Sequence, residues 1–386
     1  MLRFKQFISE DASHNHAKGV SAEIHTGYHL MAQHGIPVTD HRDPEAMTKA
    51  DQENRRRLGD DRHDKVKANS GKIASAIGEY LKTKGVTIPG KKGKTKIDLA
   101  KSQPGSKVSW TSQAGDIGRA TGHDEGQENP SDIVLTHHDG KNKIPVGVSL
   151  KYGKNPGLRS PGHGDMQKML NTDKLKDSEG KSLTDKINDE KRKIGEKVDQ
   201  HITPLLKSTK VGDRKDETKL RKRQHESGEV HDPKFSDAVD KGFSAANEHR
   251  KKMAKHYADA FNHPENDHHT RRAFVKRMMG IEDTKFPVIK AHYDEKKDKV
   301  HVSDPKEQFE NMDTHFHHYS AEAGGEKSDG KSGITIYGHH HDGTKHKIFS
   351  IQHKFSSGAY TGEVNSSGQA GAAVKKYGES PYNGEH

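Results

Sequence analysis

Apolar residues recur at helical spacing in several separate stretches of the chain. Over 20–34, Val20, Ile24, Tyr28 and Met31 share one stripe, and Gly35-Ile36-Pro37 ends it. The stripe returns over 71–84 through Ile73, Ile77, Tyr80 and Leu81. Between them, residues 44–70 are dense in charge, with Arg55, Arg56 and Arg57 in a row, and read as a solvated helix or a loose connector. Two longer amphipathic patterns follow. One runs over 183–206 through Leu183, Ile187, Ile194, Val198, Ile202 and Leu205; the other runs over 235–261 through Phe235, Val239, Phe243, Ala246, Met253 and Tyr257. A short helix is predicted at 270–279.

Elsewhere the period is that of strands. After a Gly/Lys-rich loop at 85–107, Val108-Ser109-Trp110-Thr111 is strand-like, and Asp132–Thr136 is a short run with β-branched residues. His138-Asp139-Gly140-Lys141 has turn chemistry, and Val146–Tyr152 forms the return strand of a hairpin, stopped by Gly153 and Pro156. Residues 157–181 are loop-rich. Further hairpins are predicted at 286–293 with 299–302, and at 333–338 with 347–355, the latter turned at His341-Asp342-Gly343. Residues 1–19 read as a polar arm, and the Gly/Ser-rich stretch from Thr361 as a flexible tail.

Composition narrows the picture. Of 386 residues, 28% are hydrophobic, which predicts one modest core with long polar excursions rather than two full cores. No run is long and apolar enough for a membrane span, and the N-terminus lacks the apolar stretch of a signal peptide, so a cytoplasmic setting is expected. The absence of Cys excludes disulfides, thiolate zinc sites and thiol nucleophiles. A net charge of +10, with 32% charged residues, describes a mixed surface with a basic excess, suited to a phosphate-bearing partner.

The candidate chemistry lies in the first hairpin, in Asn129-Pro130-Ser131-Asp132-Ile133-Val134-Leu135 and Gly147-Val148-Ser149-Leu150-Lys151. Asp132 opens one strand and supplies a carboxylate oxygen for a hard cation. Lys151 ends the next, where its charge can orient a water and neutralise a phosphorane-like centre. Leu150 alternates to the opposite face, so Ser149 and Lys151 point together.

This pair resembles the PD-(D/E)xK nuclease superfamily, with Pro130-Ser131-Asp132 as the first half-motif and Ser149-Leu150-Lys151 as the second. Ser149 departs from that pattern, because the family has Asp or Glu there. In variants of the superfamily the acid moves to a neighbouring helix, which makes Glu23 or Glu79 the expected second carboxylate. Glu23 is favoured because it flanks the Val20, Ile24, Tyr28 stripe. The opening MLRFKQFISED also resembles the openings of small proteins from contractile-tailed bacteriophages, which implies work inside an infected bacterium.

The resemblance implies an α/β chain with a restriction-endonuclease-like mixed sheet flanked by helices and a long helical insertion. The expected divisions are a nuclease core at 20–156, a helical insertion at 157–280 that clamps DNA, and C-terminal hairpins at 281–360 that complete the sheet. The implied activity is phosphodiester hydrolysis of double-stranded DNA with Mg2+, or Mn2+ in its place. Asp132 and one glutamate hold metal, Ser149 holds a metal-bound water, and a homodimer is allowed. Expected DNA contacts are Lys154 and Arg159 after the hairpin, Lys354 at a later strand end, and Arg221, Lys222 and Arg223. The last three belong to Lys207–Arg223, a segment with eight Lys/Arg against three Asp/Glu.

Other readings compete. A non-catalytic nucleic-acid-binding protein would keep the fold without the acid at Ser149, and a resolvase or exonuclease would share the same motif. The groups His339-His340-His341 with His346 and His353, and His315, His317 and His318, suit zinc or HNH chemistry by residue type, but no carboxylate accompanies them at a recognisable spacing. They read as solvated turn histidines. Gly90–Thr95 lacks P-loop spacing, and no GxSxG elbow is present.

Overall fold

The helical stripes of the N-terminal part form α1 (Leu2–His34), α2 (Pro44–Leu58) and α3 (Asp60–Thr83) in the computed structural model. It describes residues 2–36, 44–111, 115–123, 129–153, 162–208, 237–238, 241–242, 244–281, 284–324, 333–355, 364–370 and 374. Residues 2–19, expected as a polar arm, are the first half of α1, since neither Gly nor Pro interrupts the chain before Gly19. The charged stretch 44–70 is helical throughout except at Gly59, whose φ of 77° separates α2 from α3. On α3, Val66, Ile73, Ala74, Ile77 and Leu81 form the buried stripe.

The chain divides into two compact units, Asp11–Pro156 with Gly280–Glu307, and Met1–Glu10 with Gly157–Met279 and Gln308–His386. The first unit holds a mixed sheet of β1 (Lys107–Trp110), β2 (Ile133–His138), β3 (Lys143–Tyr152), β4 (Val288–Asp294) and β5 (Lys299–Ser303), in that spatial order. All neighbours are antiparallel except β3 and β4, which run parallel. Strand alternation assigns the two faces. Ile133, Leu135, Val146, Val148, Leu150, Ile289 and Ala291 pack against Leu30 of α1 and Ile73, Ile77 and Leu81 of α3. On the opposite face, Ala120 of α4 (Asp116–Thr121) packs with Val134 and Phe286. Helices therefore cover both faces, as a sheet containing a parallel pair requires.

The β2–β3 turn forms where its sequence predicts. The Asp139 carboxylate accepts the Lys141 and Asn142 amides at 2.8 and 2.6 Å, and Gly140 takes φ of 95°. This fixes the register Ile133↔Val148 and so sets Asp132 across from the Ser149–Lys151 end of β3.

The second unit contains α5 (His163–Met169), α6 (Leu183–Ser208), α7 (Asn247–Asn262) and α8 (His268–Met278). Beyond α9 (Pro305–Asp313), the chain forms β6 (Phe316–Ala323), β7 (Gly333–His340), β8 (Lys345–Phe355) and β9 (Val364–Ala370), a four-stranded antiparallel sheet. The Phe261 and Phe274 rings meet edge-on at 5.4 Å beneath it, and Phe274 stacks on Phe349 at 6.5 Å.

Two expectations are corrected here. Only the 286–302 hairpin extends the first sheet. The later hairpin pairs with β6 and β9 in a sheet of its own, so the chain builds two cores rather than one. Part of the expected tail is β9, whose backbone completes the otherwise open edge of β8.

Candidate active site

Asp132 is held by backbone before its side chain does anything. Its amide donates to the Val148 carbonyl at 2.9 Å, and its carbonyl accepts from the Thr111 amide at 3.0 Å. The carboxylate Oδ2 accepts from the Leu150 amide at 2.7 Å and from Lys151 Nζ at 3.4 Å. Oδ1 has no hydrogen-bond partner among the described residues.

Glu23 reaches the same place from α1. Its Oε2 accepts from the Trp110 indole Nε1 at 2.9 Å. Burial, reinforced by the neighbouring Asp132 charge, pushes its carboxyl up to about 8; the Trp110 hydrogen bond and the Lys151 charge oppose the shift. Burial also raises Asp132, against the pull of Lys151 and the Leu150 amide. Two carboxylates thus share a poorly solvated spot with one ammonium against Asp132. Glu79 does not join them. It lies on the exposed side of α3, away from the Ile73, Ile77, Leu81 stripe.

The parallel β3–β4 register adds a lysine that the sequence reading missed. Ser149 pairs with Lys290 and Lys151 with His292, so these four share the sheet face opposite the α1/α3 core. Burial, then the Lys151 charge, brings the Lys290 ammonium down to about 8. His292 Nε2 lies 2.8 Å from the Gly153 carbonyl. The signal for Lys290 was a charge inside the apolar run Val288-Ile289-Lys290-Ala291 that opens β4. For Trp110 it was an indole at the end of a buried strand, where a donor needs an acceptor.

Lys154, Arg159, Arg221, Lys222 and Arg223 lie outside the described residues. Lys354 stands on β8 in register with Asn365, in the second unit.

The donor set at Asp132 and Glu23 is carboxylate oxygen, the chemistry preferred by Mg2+ and Mn2+. Both carboxyls are raised chiefly by burial, so the pocket accommodates two anions poorly. The described residues also contain a cluster of mixed donors, His25, Asp51 and His63, on α1, α2 and α3. Among the described residues, no helix is long and apolar enough to cross a membrane. No protein-family model, no curated protein and no solved structure matches the chain.

Proposed function

We propose that the chain is a metal-dependent deoxyribonuclease that hydrolyses phosphodiester bonds, on a variant of the PD-(D/E)xK site in which Glu23 replaces the acid missing at Ser149. The observation that carries this reading is the meeting of Asp132 and Lys151 at adjacent strand ends with Glu23 from α1 beside them. Asp132 and Glu23 would hold a divalent cation, which when bound supplies charge to polarise the phosphate and acidify water.

The remaining work falls to this chain's own groups. Lys151 favours the ionised form of Asp132 against the effect of burial and supplies positive charge beside it. Lys290, whose ammonium releases its proton near neutrality, is suited to accept a proton from the attacking water. Trp110 orients the Glu23 carboxylate. Double-stranded DNA is the substrate favoured by the net charge of +10.

A plasmid-nicking assay in magnesium tests the proposal. Wild type should nick, and Lys151→Ala and Asp132→Ala should not, at matched circular dichroism. If wild type binds DNA but does not cut it, the Ser149 substitution has left a nucleic-acid-binding protein on the same frame. Comparing plasmid, linear and branched substrates separates an endonuclease from an exonuclease or resolvase.

A further inference from the structure

We infer that His25, Asp51 and His63 form a binding site for a zinc ion, distinct from the carboxylate site, that clamps α2 onto α1 and α3. His25 Nε2 lies 3.0 Å from Asp51 Oδ1, His63 Nε2 lies 2.9 Å from the same oxygen, and the two ring nitrogens are 3.4 Å apart. Three donor atoms from three helices therefore converge on one point. Tetrahedral zinc with bonds of 2.0–2.1 Å has ligand–ligand edges of about 3.3–3.4 Å, so this triangle needs only a few tenths of an ångström of expansion. An ion at that bond length would sit about 1 Å above the plane of the three atoms, and a fourth position would remain for water.

The donor chemistry separates this site from the first. Two imidazole nitrogens and one carboxylate oxygen suit zinc, whereas magnesium prefers oxygen alone. His25 and His63 are buried and Asp51 is partly exposed, which leaves an entry side. The second nitrogen of His63 makes no hydrogen bond among the described residues, but a carboxylate lies on its side. Its buried Nδ1 lies 3.8 Å from Asp64 Oδ1, on the side away from the cluster. A carboxylate there favours the proton on Nδ1 and leaves the Nε2 lone pair for a metal.

The element that would gain most is α2. Among its described side chains, Met47 and Leu58 are its buried apolar residues, Ala50 packs partly buried beside Met47, and the buried Asn54 is polar. So little apolar burial holds a 15-residue helix weakly. A metal bond from Asp51 to two neighbouring helices supplies the missing attachment.

The test uses the untagged full chain, because a purification tag of histidines would bind metal itself. Zinc is counted by mass spectrometry after dialysis against a weak chelator, and cobalt is substituted for it. One zinc per chain is expected, and cobalt should give the visible absorption bands of a four-coordinate site, in excess magnesium and without DNA. His63→Ala and Asp51→Asn should each lose the bands, and the melting temperature of wild type should rise by several degrees with zinc while theirs does not. A control double variant, His317→Ala with His341→Ala, removes histidines of the second unit and should keep both signals. A wild-type cobalt spectrum without visible bands overturns the proposal and leaves a hydrogen-bonded His-Asp-His cluster. Bands lost only in the control variant overturn it too. Nicking activity enters none of these readings, so failure of the nuclease proposal and failure of the zinc site are seen separately.

Discussion

Glu23 and Lys290 are residues whose burial costs stability, and the proposed activity is what would make use of them. The Glu23 carboxyl has an ordinary value of 4.5 and is raised to about 8 in the folded chain. The unfolded chain loses this proton first, so its contribution to stability falls as pH rises from 4.5 to 8 and is lowest above that window. Glu23→Gln keeps an acceptor for Trp110 and removes the charge. In EDTA at pH 8.5 it should raise stability by an amount on the order of a few kcal/mol, seen as a higher melting temperature. In magnesium the same variant should not nick plasmid. A variant that melts with wild type would mean that Glu23 is better solvated than its pocket indicates. Lys290→Met tests the proposed base. It should lower kcat by about 100-fold or more near pH 7.5 while leaving DNA affinity within a few-fold, because general-base catalysis is worth roughly that factor. An unchanged kcat would move the proton to another acceptor.

The elements show which local signals carry a site and which do not. The β2–β3 hairpin was legible because Asp139-Gly140 specifies its turn and alternation specifies its faces; these place Asp132 and Lys151 together without further information. Choosing between Glu23 and Glu79 was harder, since both flank apolar stripes at helical spacing. Only the packing of α1 at the Trp110 end of the sheet turns Glu23 inward, a long-range contact with no sequence period. Lys290 was hidden for the same reason, because its partner strand lies across the whole 157–279 segment. The close approach of β4 to β3 also fixes Gly147. A Cβ there would collide with Ser131 Oγ and lie 3.0 Å from Val288 Cγ2 and 3.1 Å from Phe286 Cε2. Gly147→Ala should therefore cost about 1–3 kcal/mol, read as a lower denaturation midpoint in urea. Adding Ser131→Gly should recover part of that loss. A midpoint equal to wild type would show that the strand shifts freely to admit the methyl group.

At the scale of the whole molecule, the low apolar share predicted one core, yet the chain divides its apolar residues between two units of opposite titration behaviour. In the first unit, Glu23 loses stability as pH rises to about 8, and Lys290, brought down to about 8 from 10.5, loses stability as pH falls toward the same point. Metal-free, this unit should be least stable near pH 8 and gain as pH drops to 7. In the second unit, burial holds His353 well below 6.5, helped by His163 and Arg250, and burial lowers His318 and His339 in the same direction. A histidine kept neutral in the fold contributes fully above the unfolded value of 6.5, and that contribution is lost as pH falls below it. His353 is fully buried against Tyr257, with ring centroids 5.3 Å apart, so the effect should be concentrated there. The two responses can be read separately, because the chain has one tryptophan and Trp110 belongs to the first unit. In EDTA, the Trp110 fluorescence melting temperature should rise by a few degrees from pH 8 to 7. Over the same step, hydrogen exchange in the β8 peptide 345–355 should keep its protection after correction for the intrinsic rate. From pH 7 to 5.5 that protection should drop, and His353→Gln should flatten the drop. Below 6.5 the first unit also gives back stability through His34, His137 and His292, each lowered by burial, so its diagnostic window is the step from pH 8 to 7. Protection at β8 that is indifferent to pH between 7 and 5.5 would mean that His353 stays unprotonated in the unfolded chain as well, or that its pocket opens to water.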